Sequence, residues 1–165
     1  MKAFLLAAGV GSRLRPITDN IPKCLMPIDG KPLLYYWLKL FENNGINEVL
    51  INLHHLPDVV IKYLEQNGFD LAIHTVFEEN LLGSAGTVRN NFDFVYREDA
   101  FLICYADNLT NIDLQQMINF HLTNQPILTL GLFHTDNPRD CGIVEIDDEN
   151  TVIDLKKSRR SRPRI

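Results

Sequence analysis

Gly9, Gly11 and Ser12 follow a short apolar run, Ala3 to Ala8. Arg13, Arg15 and, between Pro22 and Cys24, Lys23 come next. A strand that breaks into a glycine turn leaves several backbone N–H groups unpaired and aimed the same way. Such a nest attracts anions, and nearby guanidinium and ammonium groups add full charge to it. An ordinary loop after a buried strand also uses glycines and arginines, so two glycines alone decide nothing. The loop has neither the GK[ST] ending of a P-loop nor the third glycine of the dinucleotide fingerprint. A second chemical candidate is Asp107, at the end of the apolar run Phe101 to Ala106. A carboxylate there suits a hard cation such as Mg²⁺, which takes one or two carboxylates and completes its shell with phosphate oxygens. The competing role for Asp107 is a turn cap made with Asn108 and Thr110. A third stretch, Glu78 to Thr87, reads EENLLGSAGT, a small-residue turn into a helix, and by itself it needs no role beyond a tight loop.

These residues need elements to hold them. After the first loop, Gly30-Lys31-Pro32 opens a helix carrying Leu33, Leu34, Trp37, Leu38 and Phe41 at helical spacing, with Gly45 as its stop. Val49 to Leu53 has the near-continuous apolar character of a buried parallel strand. Pro57 starts a second helix that ends at Gly68, and Leu71 to Phe77 forms the next strand. A short helix near Ala85 to Asn90, a strand at Phe101 to Ala106, a helix from Leu114 to about Leu122 and a strand at Ile127 to Phe133 continue the alternation. A strand at Val152 to Leu155 comes last. Strands alternating with helices predict an α/β fold: a doubly wound, mostly parallel sheet with helices on both faces. Parallel sheets bind ligands beyond the carboxyl ends of their strands, where the strand order reverses. The glycine loop, the Glu78 turn and Asp107 all follow predicted strands. Residues 1–155 form one such domain, and 156–165 a basic, disordered tail.

Composition narrows the setting. The apolar share is 45%, and no run approaches the roughly 20 apolar residues of a membrane helix. Cys24, Cys104 and Cys141 are odd in number and in no metal spacing, so disulfides are not expected and a cytoplasmic location is. The five histidines show no zinc-ligand spacing. The apolar run after Lys2 leads directly into Arg13 and Arg15 rather than a cleavage site, which argues against a secretory leader. The net charge is −5, but six basic residues fall within the last ten positions, which leaves residues 1–155 at −11. A body that acidic does not read as a nucleic-acid binder, because phosphate-backbone contacts need clustered Lys and Arg; the basic tail alone could serve as a nucleic-acid arm, but a solvated, disordered end is the better reading of it.

The first 27 residues resemble the signature of the sugar-1-phosphate nucleotidyltransferases, also called nucleotide-sugar pyrophosphorylases. The pattern LAAG-x-G-x-RL-x-P-x-T, followed by PK and PI pairs, stands here as Leu6-Ala7-Ala8-Gly9, Gly11, Arg13-Leu14, Pro16, Thr18, Pro22-Lys23 and Pro27-Ile28, with nothing missing. The resemblance implies a Rossmann-like nucleotidyltransferase fold. It also implies transfer of a nucleotidyl group from a nucleoside triphosphate to a sugar 1-phosphate, releasing pyrophosphate. Residues Leu6, Ala7, Ala8, Gly9, Gly11, Ser12 and Arg13 would bind the nucleotide, together with Glu78, Gly83 and Ser84. The last of these stands for threonine in a GTAG-like segment. Arg13 would stabilise the leaving pyrophosphate, Lys23 would neutralise the reacting phosphates, and Asp107 would hold Mg²⁺. In the family that aspartate follows glycine; here it follows Ala106.

Asp140 to Glu145 is similar to the family's sugar-side segment and makes Gly142 the sugar-phosphate candidate. The EKP motif expected next is replaced by Lys156-Lys157-Ser158, so either lysine substitutes or the sugar-phosphate half is incomplete. The PKCLMPI and KPLL segments look closest to mannose-1-phosphate guanylyltransferases, which makes GTP the favoured nucleotide. A uridylyl or thymidylyl enzyme, a nucleotide-binding module without turnover, and the oligomeric state all stay open.

Overall fold

The computed structural model describes residues 1–138 and 141–157. Asp140, at the start of the sugar-side segment, and residues 158–165 of the basic tail lie outside them. The chain divides into two compact units, Met1–Ile118 and Asn119–Ile165.

The first unit is built on strand β1 (Lys2–Leu6). Three short 3₁₀ turns follow, at Ser12–Leu14, Ile17–Asp19 and Lys23–Leu25. The expected first helix is preceded by a small hairpin of β2 (Pro27–Ile28) and β3 (Lys31–Pro32). Asp29 and Gly30 turn it with φ of 47° and 77°, the left-handed pair that a two-residue hairpin turn demands. Helix α1 (Leu33–Asn43) therefore starts one residue after Pro32, and its buried stripe is Leu33, Leu34, Trp37, Leu38 and Phe41. Next come β4 (Glu48–Leu53), α2 (Pro57–Gln66), β5 (Ala72–Phe77), α3 (Gly83–Asn90), β6 (Leu102–Tyr105) and the start of α4 (Leu114–Asn124), the unit ending at Ile118. Both ends of α2 follow local chemistry: Pro57 sits in its first turn, and Asn67 ends it.

The four long strands form one sheet in the order β5-β4-β1-β6, every pairing parallel. Because the sheet is central, the side chains of β1 divide between its two faces. Ala3 and Leu5 join Val49, Ile51, the α1 stripe, Val60, Leu114 and Ile118 in the larger core. Phe4 packs with Leu50 and Val95 on the other face, where Val88, Phe94 and Phe101 close over it. The sheet is thus covered on both faces, as the alternation of elements predicts.

The second unit contains an antiparallel hairpin, β7 (Gly142–Ile146) with β8 (Val152–Lys157). Its turn is closed by Asp147, whose Oδ1 accepts the Glu149 and Thr151 N–H groups at 3.0 and 2.8 Å. The strand expected at Ile127 to Phe133 does not form. Ile127, Leu128, Leu130, Leu132 and Phe133 are exposed, and among the described residues no strand pairs with them. An apolar run has strand composition, but a strand exists only where a neighbour takes its backbone hydrogen bonds.

Candidate functional site

From β1 the chain steps outward to β4 and β5, and then β6 returns to the opposite side of β1. The strand order therefore reverses between β1 and β6, and an open α/β sheet leaves its ligand crevice there. The Ala106 N–H donates to Leu6 O at 3.0 Å and keeps the two strand ends together. A cavity of about 230 Å³ opens beyond them, walled by Leu6 to Gly9, Lys23, Glu78, Gly83, Ser84 and Asp107.

Two charged groups predicted from distant parts of the chain meet at this cavity. Lys23 Nζ lies 2.5 Å from Asp107 Oδ2, across a sequence gap of 84 residues. Their side chains are 24% and 42% exposed, so phosphate or a cation can compete for either partner. Lys23 is carried by its own 3₁₀ turn. The backbone after Asp107 is held by the Trp37 indole, whose Nε1–H donates to Asn108 O at 2.7 Å.

The glycine loop divides into two parts. Gly9 is exposed, and a Cβ there would meet no atom within 4 Å. Gly11 is the constrained one. It has φ +64°, and a Cβ would stand 2.8 Å from Thr18 Cγ2. Buried Thr18 donates its hydroxyl to Gly11 O at 2.9 Å and pins the loop. Gly11, Ser12 and Arg13 lie beyond the cavity lining, with Ser12 and Arg13 exposed. Gly142 belongs to the second unit, where it opens β7. Lys156, one of the two lysines standing where EKP is expected, faces Glu145 at 2.6 Å and Asp154 at 3.4 Å.

Glu78 is 5% exposed, and hydrogen bonds surround its carboxylate. Oε1 accepts from Thr87 Oγ1 at 2.5 Å and from Asn52 Nδ2 at 2.9 Å, and Oε2 accepts the Leu82 N–H at 3.2 Å. Burial alone would raise its pKa. The bonds from Thr87, Asn52 and Leu82, with His54 nearby, outweigh burial and hold the carboxyl below the ordinary glutamate range. The residue is an ionised strut.

Sequence reasoning missed Asn52, Thr87, Tyr105 and Cys24, which also line the cavity. Asn52 did leave a signal, as the one polar residue within the apolar stretch Val49 to Leu53. The phenol of Tyr105 meets Ser84 Oγ at 2.9 Å, across the junction of β6 and α3. Burial pushes the Cys24 thiol up to about 12, only partly offset by a backbone hydrogen bond, so it stays protonated and is no nucleophile. Among the described residues no three His, Cys, Asp or Glu side chains gather into a metal-binding group. Asp107 alone faces the cavity as an accessible carboxylate. That fits an ion whose remaining ligands are phosphate oxygens.

The sequence model of the family described as "Nucleotidyl transferase" matches residues 2–157. The chain belongs to that family. A mannose-1-phosphate guanylyltransferase from Mycobacterium tuberculosis is 33% identical over 92% of this chain and 42% of its own length. A UTP–glucose-1-phosphate uridylyltransferase from Synechocystis is 30% identical over 95% of this chain and 44% of its own. This nucleotidyl transferase chain therefore spans less than half the length of both relatives. Among solved structures, a candidate glucose-1-phosphate thymidylyltransferase from Bacillus anthracis, in complex with a sucrose, superposes with a TM-score of 0.81 at 26% identity. The match covers 96% of this chain and 64% of that one. Its likeness bears out the Rossmann-like architecture. No helix among the described residues is long and apolar enough to cross a membrane.

Proposed function

We propose that residues 1–155 act as one nucleotidyltransferase domain that moves a nucleotidyl group from a nucleoside triphosphate to a sugar 1-phosphate, with GTP and mannose 1-phosphate as the preferred pair. The observation that carries this reading is the Lys23–Asp107 pair at the β1/β6 switch point, 2.5 Å apart and facing the Gly9 loop across one cavity. In this reaction a sugar-phosphate oxygen attacks the α-phosphorus and pyrophosphate leaves in line. No protein nucleophile is needed, so catalysis rests on positioning and charge. The amides around Gly9, Gly11 and Ser12 would hold the triphosphate, and Arg13 would stabilise pyrophosphate as it leaves. Lys23, released from Asp107 by the incoming phosphates, would offset charge at phosphorus. Asp107 would hold Mg²⁺, which would supply positive charge to offset that of the reacting phosphates. Gly142 is the proposed sugar-phosphate contact.

The guanylyl preference rests on the PKCLMPI and KPLL segments and on the 33% identity to a guanylyltransferase; the uridylyltransferase relative at 30% is the competitor. A second reading, binding without turnover, is favoured by one observation: where EKP is expected, Lys156 is already engaged by Glu145 and Asp154. The test is pyrophosphate release with Mg²⁺, pairing GTP, UTP, dTTP, ATP and CTP each with mannose 1-phosphate and glucose 1-phosphate. Release fastest with GTP and mannose 1-phosphate is the expected result. Nucleotide binding with no release from any pair selects the second reading, and absence of both overturns the proposal.

A further inference from the structure

Behind the cavity lies a buried polar network that no phosphate role requires. Asn52 on β4 is 4% exposed among Val49, Leu50, Ile51 and Leu53, a costly place for a carboxamide unless every polar atom is used. They are used. Its Oδ1 accepts the Ala7 N–H at 2.8 Å, just past the end of β1. Its Nδ2 donates to Glu78 Oε1 at 2.9 Å and to Thr87 Oγ1 at 3.1 Å. Thr87 donates in turn to Glu78, whose other oxygen takes the Leu82 N–H at the mouth of α3. One side chain thus reaches both walls of the cavity, the Ala7–Gly9 segment and the Glu78–Ser84 turn. The position needs an acceptor toward Ala7 and a donor toward Glu78. An amide supplies both, while aspartate would set an acceptor against an acceptor and leucine would supply neither.

We infer that Asn52 is a positioning residue for the nucleotide: it locks the Gly9 loop to the Glu78 turn, so that the two walls hold one spacing. The inference rests on the nucleotide-site reading above and extends it to a side chain whose polar atoms are all spent on protein. It also assigns the Ala7 amide an inward role, leaving the ligand to the loop beyond it. Coupling through Asn52 means that a change at Thr87, which has no hydrogen bond to Ala7, is felt at the Ala7 amide.

The experiment compares Thr87→Val, Thr87→Ser, Asn52→Leu and, as a core control on the same strand, Val49→Ala. Hydrogen exchange at the Ala7 amide and GTP·Mg²⁺ affinity by calorimetry are read on each, with far-ultraviolet circular dichroism to establish that the variant is folded. The expected result is at least tenfold faster Ala7 exchange and at least tenfold weaker nucleotide binding in Thr87→Val and Asn52→Leu. Thr87→Ser should restore both, and Val49→Ala should leave affinity within twofold. Ala7 exchange unchanged in Thr87→Val overturns the inference, as does an affinity loss no larger than that of Val49→Ala. Should the wild-type protein bind no nucleotide, the parent reading fails and the positioning role falls with it, even if the Ala7 exchange result shows the two walls to be coupled.

Discussion

Lys23 and Asp107 are 84 positions apart in the chain and 2.5 Å apart in space, and what each contributes depends on that. Both side chains are partly exposed, and pairs of that kind contribute about 0–1 kcal/mol to folding. A group aimed at charge that develops in a transition state commonly accounts for a factor of about 10²–10³ in rate. The two magnitudes separate the roles. Lys23→Ala should lower kcat by about 100-fold or more while moving the thermal midpoint by no more than about 4 °C. A variant with full turnover and a lost fold would show Lys23 to be structural. Lys23 was legible in the sequence because a lone lysine between Pro22 and Cys24 stood inside a long signature. The roles of Asn52 and Thr87 were not. Their function is to satisfy the Ala7 N–H and the Glu78 carboxylate, and the need for them appears only once β1, β4 and α3 are brought together.

At the scale of elements, the strand-and-helix alternation of the first unit could be read from spacing, most plainly where α1 carries one apolar stripe and Val49 to Leu53 of β4 an apolar run interrupted by Asn52. Two pieces went the other way. The hairpin at Pro27–Pro32 was announced by Asp29-Gly30 but overshadowed by the proline that precedes α1. The Ile127–Phe133 run has strand composition without a partner ladder, and pairing is not a local property. The glycine loop shows how an element depends on one backbone conformation. At Gly11 both φ +64° and the approach of Thr18 forbid a side chain, whereas the Gly9 Cβ position is open. Gly11→Ala should therefore cost about 1–3 kcal/mol, combining left-handed strain with displacement of buried Thr18. Gly9→Ala should cost under about 1 kcal/mol yet weaken nucleotide binding, since its methyl would project from the proposed phosphate loop. Urea titration of both variants checks the first contrast and calorimetry the second. Equal stability losses would refute the distinction.

Across the whole molecule, the main obstacle to the proposed chemistry is charge. Residues 1–155 carry a net −11, and the ligand proposed for them is a polyanion. Long-range repulsion of this kind is screened over about 8–10 Å at physiological salt, so it opposes approach more than final contact. The cations that the cavity itself offers are few: Lys23 lines it, already beside Asp107, while Arg13 stands out on the loop beyond. Binding should therefore depend strongly on Mg²⁺, which Asp107 would hold and which would offset the charge of the phosphates. A ligand at 100 times its dissociation constant stabilises the native state by about 2.7 kcal/mol. For a chain of this size that corresponds to roughly 5–10 °C in the melting midpoint. GTP with Mg²⁺ should produce a shift of about that size, and GTP alone less than half of it. Asp107→Asn should bring the shift with Mg²⁺ down to the metal-free value while leaving the metal-free shift in place, because it removes the cation's carboxylate without removing the glycine loop. A full shift without Mg²⁺, or one that survives unchanged in Asp107→Asn, would place the triphosphate away from the β1/β6 switch point and remove the charge argument for this site.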